Sequence, residues 1–374
     1  MNALENTDSD IGFNITNDFY EVQNEFYEPE IKRVQVWIET HHDLNFWNSI
    51  LQGKIDNTEF HFQTTDTIVF NDKVGTGCSR ILNLVNNGNI QLGKSSIVCI
   101  DSDYDCISNL IKAPYNEQHT LYKEIDNVNY YSKNYIFRTL IHSKECAFYI
   151  ESFLREEIRK CISFTSIDKV EICFSDFFSE ISKIIKFYFI SLLHIHNKNM
   201  ITLEERNRAL KSLLKEISVV KQISIINFQD LSSLLNSETF ISLKDKIDNL
   251  YFELLTEHSL TSQDIELLIS NLESFSVNDS NLFYFLRGHD VEDILKCISN
   301  NYIKAIKVAH QSSLEETLKN QGCDKKTIAA MRQEVMGSYK NSILPGILET
   351  NYQNIHQNQY IKIVFDCIND CITS

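Results

Sequence analysis

The chain has 374 residues, 43% of them hydrophobic, which is enough for sizeable cores and corresponds to about two domains at roughly 150 residues each. Its formal net charge of −16 excludes broad, nonspecific attraction to phosphate backbones, though not a nucleic acid entering one cleft. Ten cysteines without a Cys-x-x-Cys pair leave no zinc-site spacing. With no signal-peptide pattern and no bilayer-length apolar run, reduced thiols in the cytoplasm and no membrane association are expected.

Residues 1–30 are polar and acidic and read as a loosely held N-terminal arm. Val34 to Ile38 form a β-rich run that ends at Glu39. Asp43 then stands where it could cap a helix, whose Leu44, Trp47, Ile50 and Leu51 recur at spacings of three and four. Strands are expected over 59–63 and 67–70. Gly75 and Gly77 form a turn into a helix through Ile81, Leu82 and Val85, ending near Gly88. Gly-x-Gly alone is no nucleotide fingerprint, and neither the dinucleotide motif nor a Walker A sequence is present.

Ile97 to Ile100 are apolar in an unbroken run, as in a strand buried on both faces of a parallel sheet. A short helix over 106–111 follows, and 128–131 offers one more strand. From Lys133 onward the pattern is helical, which the 10 Gly and 3 Pro of the whole chain favour by leaving few helix breakers. Thr202 with Glu205 and Thr261 with Asp264 are capping boxes at two helix starts. Later helices are expected over 283–317, 324–340 and 358–372. The layout is an α/β domain with a largely parallel sheet over 31–132, followed by a larger all-helical region over 133–374.

The chemistry-bearing residues stand at strand ends. Glu39 closes one strand, while Asp101 and Asp103 follow another, one residue apart. In a parallel sheet both ends lie on one edge, where ligands bind. Carboxylates brought together repel unless a cation sits between them, and hard oxygen donors suit Mg²⁺. The alternative for the Asp pair is an acidic surface turn.

This arrangement resembles the TOPRIM fold of topoisomerases, DnaG-type primases and overcoming-lysogenisation-defect nucleases, whose signature is a Glu after the first strand and an Asp-x-Asp after a later one. Four quoted stretches in order carry a closer resemblance: Val36-Trp37-Ile38-Glu39 with Asp43 and Phe46-Trp47; Asp101-Ser102-Asp103-Tyr104-Asp105; Tyr131-Ser132-Lys133-Asn134-Tyr135-Ile136; and Arg287-Gly288-His289-Asp290. They are similar to a TOPRIM-like family of bacterial phage defence, found beside ABC-type ATPases and including the nuclease effector of PARIS systems. The likeness covers 31–140 well and the helical part only through the arginine-glycine motif.

The resemblance implies a nuclease acting on DNA or RNA, transfer RNA included, with Mg²⁺ or Mn²⁺ held by Asp101 and Asp103. Glu39 is then ligand or general base, and Asp43 helps to place a second ion. It also implies control by an ABC-type ATPase sensor, with a second copy of the chain as another candidate partner. Family members often carry Glu where Lys133 stands, and Lys where His289 stands. Lys133, Arg287 and His289 are then candidate phosphate contacts. The rival expectation is a noncatalytic interaction subunit on a TOPRIM scaffold, which the charge and Lys133 favour and the three retained acids oppose. No zinc module for a primase and no separate tyrosine-bearing domain for a topoisomerase are visible.

Several of these residues also suit purely structural roles. Asp43 and Asp105 serve as helix caps, and Asp290 serves as the N-cap of a helix from Val291. His41 and His42 are exposed loop histidines, and Tyr130 and Tyr131 are strand packing.

Overall fold

The computed structural model describes residues 31–65, 77–112, 135–161, 173–222, 235–338 and 352–373. The chain divides into two compact units that do not follow sequence order. One runs to Ile100 and takes in the stretch ending at Arg138 and the C-terminal residues from Val364. The other holds the segment from Asp101 and the long stretch from Thr139 to Ile363.

The first unit is built on a sheet of four parallel strands in the order β2-β1-β3-β4. β1 (Lys32–Ile38) lies between β2 and β3, with Val34 to Ile38 all buried, the polar Gln35 included. α1 (Leu44–Leu51) buries Phe46, Trp47, Ile50 and Leu51, each worth about 1.5–3 kcal/mol when withdrawn from water. β2 (Thr58–Thr64) pairs with β1 in the register Lys32 to Thr58 through Ile38 to Thr64.

α2 (Cys78–Asn86) then lays Ile81 and Leu84 against Trp37, Val98 and Ile100. β3 (Ser96–Ile100) is buried at every position and pairs with β1 on its other side, Trp37 opposite Val98. The indole Nε1 of Trp37 donates to Ser96 Oγ at 3.3 Å, which ties the two strands through a buried polar pair.

The second unit opens with α3 (Asp105–Lys112). The sheet of the first unit is completed by β4 (Ile136–Arg138), whose Ile136 stands opposite Val98. This corrects the expectation that the pattern turns helical from Lys133: 136–138 is strand. With so few residues, the segment carries no periodicity to mark it, and only its partner β3 makes it a strand. The strands expected over 67–70 and 128–131, like the arm 1–30, lie outside the described residues.

The rest of the second unit is helical: α4 (Glu151–Cys161), α5 (Phe174–Asn197), α6 (Leu203–Ile217), α7 (Glu238–His258), α8 (Ser262–Ser274), α9 (Gly288–Asn320) and α10 (Lys325–Ser338). α5 is its axis, packing against α3, α6, α7 and α8. The apolar 187–195 run lies within it. Among the described residues no helix is long and apolar enough to cross a membrane.

Both capping boxes form. Thr202 Oγ1 accepts from the Glu205 amide at 3.2 Å and Thr261 Oγ1 from the Asp264 amide at 3.2 Å, while each N3 carboxylate reaches back to the cap residue. The helix expected from residue 283 begins at Gly288 instead. Leu282–Phe285 form a 3-10 turn, pinned where the Phe283 amide donates to the buried Ser182 Oγ at 3.2 Å and its ring stacks on Phe178 at 3.9 Å. α11 (Gln359–Thr373) ends the described chain.

Candidate functional site

Strand order decides where a site can form. From β1 the chain goes to β2 on one side and returns to β3 on the other. The gap between the carboxyl ends of β1 and β3 is therefore the topological switch point, where open parallel sheets leave a crevice for ligands. Glu39 is the first residue after β1, and Asp101 the first after β3.

In the first unit, Glu39 is half-buried and its carboxylate meets the start of α2. Cys78 Sγ donates to its Oε1 at 2.8 Å. A β-carbon on Gly77 would stand 3.2 Å from its Oε2, and Gly77 has φ of +61°, a conformation open to glycine. The glycine that sequence reasoning assigned to a simple turn thus lets this carboxylate lie against the helix N-terminus, where partial positive charge favours it. Thr65 Oγ1 donates to the Glu39 carbonyl at 3.1 Å and fixes the backbone there.

Asp43 is buried at 8% exposure, and its Oδ2 accepts from both the amide and the hydroxyl of Thr40 at 2.9 Å. Its side chain does not cap α1, as the spacing had implied. It closes a capping box on the 3-10 turn His41–Asp43, the local alternative open to an Asp three residues after a Thr.

In the second unit, the Asp-x-Asp turn is laced residue by residue to the segment that leaves β4. Asp101 Oδ1 accepts from the Lys144 amide at 3.1 Å. The Ser102 amide donates to Thr139 Oγ1 at 3.1 Å, and the Asp103 amide donates to the His142 carbonyl at 2.7 Å. Asp103 has φ of +47°, a left-handed position that Asp tolerates better than most residues, and its side chain is exposed. Asp105 is the first residue of α3 and not the residue before it, and the buried Ser102 Oγ accepts from the Cys106 amide in the first turn at 3.3 Å.

Arg287 is the N-cap residue of α9, and Asp290 stands inside the first turn instead of capping it. The Arg287 guanidinium lies 3.7 Å from Asp290 Oδ2, and His289 Nδ1 lies 3.6 Å from Glu292 Oε2. Gly288 is a packing requirement. A β-carbon there would fall 2.1 Å from Ser143 Oγ and 2.9 Å from Glu145 Oε2, so α9 can start against this turn only with glycine. Tyr149 Oη donates to the Gly288 carbonyl at 3.2 Å. Lys133 lies outside the described residues.

Four carboxylates suit a hard divalent ion chemically, since every donor is oxygen. Among the described residues, however, no three His, Cys, Asp or Glu side chains gather closely enough to hold one. Glu39, Asp43 and Asp101 are each engaged by a protein donor.

Three residues around the Asp-x-Asp turn, Tyr104, His142 and Arg206, had no role assigned from the sequence. Tyr104 is buried, with its ring edge-on to His142 at 4.5 Å, and the Arg206 guanidinium lies over its face at 5.5 Å. Burial, with Arg287, His289 and Arg206 nearby, lowers the His142 pKa to about 3. Compared with known proteins, the chain matches no family model, no curated protein and no solved structure.

Proposed function

We propose that the chain is a metal-dependent phosphodiesterase acting on nucleic acid, DNA or RNA. One observation carries this reading: the β2-β1-β3-β4 order makes the carboxyl ends of β1 and β3 a switch point, and Glu39 and Asp101 are the first residues beyond those two ends. Glu39 takes the proton of the attacking water or serves as ligand, Asp101 and Asp103 are the principal ion ligands, and Asp43 assists. Mg²⁺ or Mn²⁺, when bound, supplies the charge that polarises the phosphate and stabilises the leaving oxygen. Arg287 and His289, exposed at the start of α9, and Lys133 contact substrate phosphates. The TOPRIM-like resemblance adds an ABC-type ATPase as the controlling partner.

The test uses purified wild type and Glu39→Ala with single-stranded and duplex DNA and RNA, including transfer RNA, in Mg²⁺ or Mn²⁺. The expected outcome is cleavage by wild type and none by Glu39→Ala, with both proteins folded at the assay temperature. If both proteins behave alike, Glu39 has no catalytic part.

A second reading, a noncatalytic interaction subunit, has its own observation in favour: three of the four acids are engaged by protein donors and no ion-sized cluster is found among the described residues. Ile241 and Phe252 on α7 and Leu267 on α8 are also more than half exposed. On that reading wild type cleaves nothing, and Phe252→Glu disturbs partner binding while Glu39→Ala does not.

A further inference from the structure

Arg206 is a half-buried cation in the first turn of α6, and no acid among the described residues pairs with it. Its Nε and Nη2 donate to Asn207 Oδ1, a neutral amide, at 3.2 and 2.9 Å. Among the described residues no carboxylate lies within ion-pair distance of it. Burial lowers its pKa, and the more distant Asp103 and Asp105 only partly oppose that. A guanidinium withdrawn from water without an anion costs free energy that an incoming anion would offset. Tyr104 holds it in place face-on, and that ring is itself wedged against His142 and Phe189.

His142 marks the centre of the cluster. It is 6% exposed, and its Nδ1 is buried with no hydrogen-bond partner among the described residues. Its backbone joins two segments, the carbonyl accepting from Asp103 and the amide donating to the Tyr284 carbonyl at 3.0 Å. Arg206, Arg287 and His289 all lie close enough to disfavour its protonation. Two guanidiniums and a second imidazole, carried by α6 and the start of α9, thus act on one neutral imidazole. The acids nearby are Asp103, Asp105, Asp290 and Glu292. Asp290 and Glu292 hold Arg287 and His289 only at 3.7 and 3.6 Å, at the exposed start of a 33-residue helix.

We propose that Arg206, Arg287 and His289, gathered around the Tyr104–His142 pair, bind a phosphate group of a nucleic-acid strand. The site rests on the nucleic-acid reading above and extends it: Arg206 is the central contact, with Arg287 and His289 flanking it. A guanidinium presents paired donors that match two phosphate oxygens, and stacking on Tyr104 limits the rotamer freedom lost on binding. The buried imidazole adds a polar group without adding charge.

The test is binding, measured by fluorescence anisotropy with labelled single-stranded oligonucleotides, one 5′-phosphorylated and one 5′-hydroxyl, at several salt concentrations. Arg206→Ala and Arg206→Met should each weaken binding at least about tenfold and lower the salt slope by about one, with Arg206→Lys recovering part of the loss. The methionine variant keeps packing over Tyr104, so matched losses assign the effect to charge. A loss with both oligonucleotides identifies an internal phosphodiester, and a loss with the phosphorylated one alone identifies a terminal phosphate. Wild-type binding by folded Arg206→Ala and Arg206→Met overturns the proposal. Cleavage lost in Glu39→Ala with binding intact is a separate result, so either idea can fail without the other.

Discussion

The thiol of Cys78 donates a hydrogen bond to Oε1 of Glu39 at 2.8 Å, from the first residue of the helix that follows Gly77. A strand-end acid is thereby seated on a helix N-terminus, and Gly77 leaves room for it. Gly77→Ala adds a β-carbon 3.2 Å from the carboxylate at φ of +61°. It should destabilise the fold by about 1–3 kcal/mol, read as a lower denaturant midpoint. A change of only a few tenths would mean that the carboxylate and the loop move apart freely.

Divalent ions should raise the melting temperature, since an ion that binds only the folded state stabilises it by about 2.7 kcal/mol at a hundredfold excess over its Kd. Asp101→Asn should shrink that response while its side-chain oxygen still accepts from the Lys144 amide. An absence of any shift in millimolar Mg²⁺ and Mn²⁺ favours the interaction-subunit reading.

Gly288→Ala places a methyl 2.1 Å from Ser143 Oγ at the start of α9. Overpacking of this kind costs about 1–3 kcal/mol or more. Removing the opposing hydroxyl with Ser143→Gly should recover part of that loss, so the double-mutant cycle is expected to be non-additive by at least about 0.5 kcal/mol. Additive effects would show that the two residues do not meet.

His142 gives the fold an acid-side weakness. Its imidazole titrates near 6.5 when unfolded and near 3 when folded, so between those values the unfolded chain holds the extra proton. Stability from this group is full above pH 6.5 and falls as pH drops towards 3. The loss should be about 1.5 kcal/mol between pH 6.5 and 5. His194 and His196, also lowered by burial, act in the same direction, while the raised Glu292 opposes them. His142→Phe keeps a ring against Tyr104 and should flatten this part of the pH–stability curve. An unchanged slope would place the acid sensitivity elsewhere.

The sequence by itself determined whatever depends on neighbours along the chain. Ile97 to Ile100 read as a doubly buried strand because the four residues are apolar in succession, and Val34 to Ile38 as a strand from their β-rich composition. The Thr202–Glu205 and Thr261–Asp264 boxes start their helices because both partners lie within one turn. The acids at the strand ends were visible for the same reason. Even locally, competing partners misled: Asp43 turned back to Thr40, Ser102 bonded the first turn of α3, and Gly288 moved the start of α9.

Only the tertiary structure decided what depends on which elements become neighbours. β4 is a strand because β3 pairs with it, and nothing in Ile136–Arg138 alone announces that. A crossover can return to either side of the first strand, so the β1/β3 switch point follows from the pairing, not from the pattern of residues. Tyr104, His142, Arg206 and Arg287 are scattered over more than 180 positions of sequence. The Tyr104 ring touches both His142 and Arg206, and long-range packing leaves no periodic mark on the residues it brings together.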